Sequence, residues 1–205
     1  MFSRRDSRNE LEQEVTDLKE KNRALQAEIA QLKDALHRMN ELQRNIEFIT
    51  PQSDLFNLMN EIVAISAAVV HVENSFLMLL DEDSAELVFV EAQGRGREPL
   101  LGFHLPLGTG VASWVAATRN PKMVNDVRNE AQFSSLVDQK TGLQTKSLIC
   151  VPLAAGNRTL GVIEVISTEQ EKAFSDSDLD ALLLFSRIAT AALLKAEGTP
   201  APEGP

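Results

Sequence analysis

Residues able to do chemistry gather in one stretch of this 205-residue chain. From Asn125 to Leu153 it reads NDVRNEAQFSSLVDQKTGLQTKSLICVPL: an Asn125-Asp126 pair, an isolated Phe133, then Asp138, a Thr141-Gly142 turn and Ser147 before an apolar strand. Long structureless connections are uncommon in compact domains, and those that occur are often binding loops or lids. The side chains on offer are hydrogen-bonding groups around one aromatic ring, which is the material for holding a ligand. Bond-making chemistry lacks material. The single cysteine, Cys150, excludes an internal disulfide or a thiolate cluster, and in an apolar strand it behaves as a small hydrophobe. His37, His71 and His104 are too scattered to form a metal site by spacing. No Ser-His-Asp set or acid pair emerges, so a non-enzyme is expected.

The first element that must position this loop is a helix. Leu11, Val15, Leu18, Asn22, Leu25, Ile29, Leu32, Leu36, Met39, Gln43 and Ile46 follow one another in alternating steps of four and three. A 3.5-residue period argues for a supercoiled helix with a partner. Leu11, Leu18, Leu25, Leu32, Met39 and Ile46 occupy d; Val15, Asn22, Ile29, Leu36 and Gln43 occupy a. Branched residues at a with Leu at d favour two parallel strands, and one Asn at a fixes the register. Glu14 would face Lys19 of the partner helix, and Glu28 would face Lys33. A parallel homodimer is expected over 11–49, after an N-terminal tail of 1–10.

Thr50-Pro51 breaks that helix. A domain over 50–195 follows, then a Pro- and Gly-rich tail, 196–205, expected to be disordered. Ser53 or Asp54 can cap a helix with Leu55, Leu58, Met59, Ile62, Ile65 and Val69 on its apolar face. Ser75–Leu80 and Leu87–Ala92 predict a hairpin, Val111–Thr118 a short helix and Lys122–Val124 a short strand. Lys146–Leu153 and Thr159–Ser167 predict a second hairpin, and Phe174–Leu194 a closing helix with Ser175 and Asp178 as its capping box. This order predicts an α+β domain: one antiparallel sheet with helices segregated from it.

The motifs Gly108-x-Gly110-Val111, Trp114-Val115, Asn125-Asp126-Val127, Phe133, Asp138, Thr141-Gly142, Ser147-Leu148, Val151-Pro152-Leu153, Gly161-Val162 and Phe174-x-x-x-Asp178 together resemble a GAF domain. The resemblance spans roughly Leu55 to Leu194. It implies a small-molecule sensor or dimerisation module wired through helices to an output. The loop is most similar to GAF domains of cyclic-nucleotide phosphodiesterases and adenylyl cyclases, where the corresponding segment covers cyclic AMP or cyclic GMP. On that reading Gly108, Gly110, Asn125, Asp126, Phe133, Asp138, Thr141 and Ser147 are the candidate ligand residues. Phe133, Leu136 and Val137 would floor a purine, and the turn at Gly108-Thr109-Gly110 would offer N–H groups to a phosphate. Asp138, Thr141 and Ser147 would bond sugar or base, and Asp126 can instead close an Asx turn. The chain also departs from that subset. Ser167-Thr168 stands where it carries Asn-Lys, so the Lys that pairs with the Asp corresponding to Asp178 is lost. Its final Glu becomes Leu179. Glu130 and Gln132 replace Asp and Arg. Glu164, inside VIEVIS, is expected to face solvent.

Charge and composition exclude other classes. A formal net charge of −10 opposes binding to nucleic acid. Apolar runs end well short of the ~18 residues that span a bilayer, and MFSRRDSRNE has no apolar stretch of a signal peptide after its basic residues. A cytoplasmic protein without membrane association is expected. Two functions fit. One is a sensor in which a small molecule such as a cyclic nucleotide changes helix packing. The other is a ligand-free GAF dimerisation or docking adaptor. Both need a separate protein as output partner, and neither needs a cofactor.

Overall fold

A computed structural model of the chain describes residues 3–45, 54–169 and 173–198. Helix α1 runs unbroken over Ser3–Asn45. The helix thus already takes in residues 3–10 of the expected N-terminal tail, a run free of Gly and Pro that includes three Arg. Seam residues Leu11, Val15, Leu18, Leu25, Ile29, Leu32 and Leu36 lie open to solvent, Leu11 with 60% of its surface. Met39 does not join them. It is 7% exposed and packs into the globular domain's core, so at that point the helix's apolar stripe turns from solvent to its own chain. Ile46, the Thr50-Pro51 break, Ser53 and the tail from 199 onward lie outside the described residues.

Helix α2 spans Leu55–Val69, and Asp54 caps it by accepting from the Asn57 N–H at 3.2 Å. Six antiparallel strands follow: β1 (Asn74–Asp81), β2 (Glu86–Gln93), β3 (His104–Pro106), β4 (Lys122–Val124), β5 (Ser147–Ala155) and β6 (Arg158–Ser167). They form one sheet in the order β3-β2-β1-β6-β5-β4. The helices α3 (Arg97–Leu100), α4 (Gly110–Thr118) and α5 (Leu136–Thr141) interrupt the strands, and α6 (Asp176–Ala196) closes the chain. Ser175 and Asp178 form the capping box of α6, each side chain bonding the other's backbone N–H. Among the described residues no helix is long and apolar enough to cross a membrane.

Both faces of the sheet are covered, and strand alternation sorts side chains between two cores. Leu77, Ile149, Val151, Ile163 and Val165 meet α2, α6 and Met39. Phe76, Met78, Leu148, Cys150, Val162 and Ile166 turn the other way, toward α4 and the loop. The central strands β1 and β6 approach closely at Gly161, where a Cβ would lie 2.0 Å from the Met78 carbonyl oxygen. The segment before β5 is not structureless. It holds a 3-10 turn, Val127–Asn129, and α5, both too short for periodicity to reveal.

Candidate functional site

The loop is anchored at its start. The Asn125 side chain accepts from the Phe174 N–H at 2.7 Å and donates to the Phe174 carbonyl at 2.9 Å, which joins the loop to the approach to α6. Asp126 caps the 3-10 turn and pairs with Arg128 at 2.8 Å. Hydrogen bonding from Arg128 holds its carboxyl below the ordinary value. Lys122 on β4 fastens the middle of the loop. Its ammonium reaches Glu130 at 2.9 Å and Gln132, and lies 5.0 Å from the centre of the Trp114 ring. Hydrogen bonding from Lys122 lowers the Glu130 carboxyl.

Beneath the loop lies a cavity of about 30 Å³, enough for a water or two. The sheet supplies a floor of Phe76, Phe89, Leu148 and Ile166, α4 supplies a wall at Gly110 and Val111, and Phe133, Ser134 and Val137 roof it. Besides Ser134 in the roof, three polar side chains line it from different segments: Asp138 of α5, Thr145 and Glu164 of β6. Asp138 is held in place, accepting from the Thr145 N–H at 2.9 Å and the Thr145 hydroxyl at 2.6 Å.

Glu164 is 8% exposed, on the same strand face as Val162 and Ile166. The expectation that it faces solvent is corrected, because α4 and the loop cover the face of the sheet that alternation gives it. Its cross-strand neighbours are Phe76 on β1 and Cys150 on β5. Burial first, and the charge of Asp138 second, push its carboxyl up to about 7. Among the described residues no Lys or Arg lines the cavity. The buried Cys150 thiol is pushed well above its ordinary value, by burial and then by Glu164.

The sequence candidates divide. Gly110, Phe133 and Asp138 line the cavity. Gly108 lies outside its lining and serves the turn before α4, with φ of +90°. Asn125 and Asp126 spend their polar atoms on the loop's own structure, as above. Thr141 does the same: its hydroxyl donates to the Val137 carbonyl at 2.8 Å and accepts from the Leu143 N–H at 3.2 Å. Its methyl packs under Gly96, where a Cβ would come within 2.6 Å of it. Ser147 is buried on β5 in phase with Ile149 and Val151, on the opposite face of the sheet from the cavity. Thr145 and Glu164 line the cavity without being among the sequence candidates. A carboxylate between apolar residues of a strand, in step with Val162 and Ile166, was the signal for the second. Among the described residues no three His, Cys, Asp or Glu side chains cluster as metal ligands.

The GAF domain family matches over residues 52–194. The alpha' subunit of the cone cGMP-specific 3',5'-cyclic phosphodiesterase of Mus musculus is 34% identical over 73 residues, covering 36% of this chain and 8% of that protein. A probable 3',5'-cyclic phosphodiesterase of Caenorhabditis elegans is 24% identical over 149 residues, 63% of this chain and 20% of that protein. The chain thus spans a fifth or less of these relatives. In fold it is similar to the GAF domain of an Acinetobacter phosphoenolpyruvate-protein phosphotransferase, with a TM-score of 0.66 at 18% identity, covering 82% of this chain and 97% of that one.

Proposed function

Because the chain belongs to the GAF domain family, we propose that it is a dimeric regulatory protein whose domain senses a small molecule in the cavity beneath residues 125–147. One observation carries this reading: an apolar cavity under a fastened loop receives two carboxylates and no cation from the protein. The protein acts by binding, and its output lies in a separate protein partner. The route from cavity to helices runs through Asn125. A ligand that lifts the loop pulls on Phe174 and so on the start of α6, which packs with α2 in the core that also receives Met39. Such coupling requires the ligand to favour one helix arrangement over another.

The second copy is recruited by α1. Its exposed stripe from Leu11 to Leu36, with Asn22 in the seam and Glu14 placed against Lys19 of the partner helix, suits a parallel pair. The phosphodiesterase relatives make cyclic nucleotides the first ligands to try. A nucleotide needs a pocket of several hundred Å³, so α5 must swing outward to admit one. The small closed cavity and the loss of the Lys at Thr168 favour the second reading, a ligand-free dimerisation and docking body.

Thermal melting of the full chain with cyclic AMP and cyclic GMP separates the two. A ligand at 100 times its Kd stabilises by about 2.7 kcal/mol, a rise of several degrees, which Asp138→Ala should abolish. No rise with any small molecule, including those below, would leave the docking reading.

A further inference from the structure

Among the described residues, every side chain that lines the cavity is either apolar or a carboxyl group, apart from the hydroxyls of Ser134 and Thr145. The Thr145 hydroxyl is already given to Asp138. Glu164 is more than nine-tenths buried, and among the described residues no donor is placed on its carboxylate. A soluble domain gains nothing from this arrangement alone, because burying an unpaired carboxylate costs stability. Three phenylalanine rings, Phe76, Phe89 and Phe133, share the space, the first two edge to face at 5.9 Å. Ring faces attract cations and repel anions.

We propose that the cavity is built for an organic cation, a ligand whose inner end is a protonated amine or an amidine-like group seated between Asp138, Glu164 and the phenylalanine rings. A neutral donor would satisfy the Glu164 carboxylate without offsetting the negative charge it adds beside Asp138 when it ionises; a cation does both, and so favours the ionised form. A metal ion fits poorly, since only two carboxylates converge and one is bonded twice by Thr145. The present volume admits an ammonium-sized head, with the rest of the ligand leaving past Phe133 under the loop. This inference rests on the sensor reading and narrows its ligand.

The test uses the full chain labelled with 15N and four small probes at constant ionic strength: methylammonium and guanidinium chloride, and their neutral counterparts methanol and urea. The Thr145 amide, which donates to Asp138, is the reporter. The two cations should shift it saturably, the neutral pair should not, and Glu164→Gln should weaken the cation response about tenfold or more. Gln keeps the size and shape of Glu, so the variant folds; a normal spectrum away from the cavity checks this. An equal response to urea and guanidinium, or an unchanged response in Glu164→Gln, overturns the proposal. Saturable binding of cyclic AMP or cyclic GMP without any cation response overturns it while leaving the sensor reading intact. Silence toward all six compounds overturns both.

Discussion

Glu164 shows how much one side chain depends on what covers its strand. In an exposed hairpin it would be a solvated carboxylate with an ordinary pKa. Here α4 and the loop close over it, Phe76 and Cys150 flank it on β1 and β5, and the nearest ionisable group from the loop is Asp138, which is also acidic. The folded state therefore holds the Glu164 proton more tightly than the unfolded chain does. Folding binds a proton between pH 4.5 and about 7, so this residue's contribution to stability falls as pH rises through that window and is flat above it. The gap between 4.5 and about 7 sets an upper bound of ~3 kcal/mol. Glu164→Gln removes the titration. Relative to the native chain, its Tm should rise from pH 5 to pH 8, whatever the amide itself costs. A difference in Tm that stays constant across that range would show that Glu164 does not titrate on folding.

At the scale of elements, the loop is a small structure in its own right. Asn125 makes two hydrogen bonds to one peptide neighbourhood at Phe174, and Thr141 packs α5 beneath Gly96. Asn125→Ala leaves the Phe174 N–H and carbonyl without those partners and should cost about 2 kcal/mol in urea unfolding, with faster amide exchange at Phe174 and Ser175. Were Asn125 a ligand contact instead, the substitution would weaken binding and leave stability and exchange as they were. The same contrast explains what could be read in the sequence. Strands β1, β2, β5 and β6 and the three long helices were legible because their apolar periods run for many residues. The Asn125-Asp126 pair and Thr141 were legible as special, but not their tasks, since a side chain bonding distant backbone looks in sequence like one bonding a ligand. The short helices α3 and α5 complete too few turns to show a period. The cavity, made by Phe76, Leu105, Phe133 and Glu164 from four separate segments, exists only once the sheet has both faces covered.

At the scale of the molecule, α1 has two employments along its length. Up to Leu36 its apolar stripe is offered outward, and at Met39 the same stripe is buried in the core of its own domain. The last turns therefore belong mechanically to the domain while the earlier heptads are free to pair. On the proposed sensor reading, a shift at α6 or α2 would reach Met39, and a rigid helix would pass it on to the seam. That seam should make the chain a dimer in solution, with a measured mass twice the chain's 22.6 kDa at micromolar concentration. Replacing Leu18 and Leu25 by Lys puts like charges at two d positions facing their own copies and should give a monomer. Because both residues lie open to solvent and outside the domain's core, its melting should persist at an unchanged temperature. Asn22→Ile should act oppositely, strengthening the helix pairing while loosening its register, so that species larger than a dimer accompany it. A native chain that stays monomeric at these concentrations, or a double Lys variant that stays dimeric, would move the dimer contact off α1 and onto the surface of the domain.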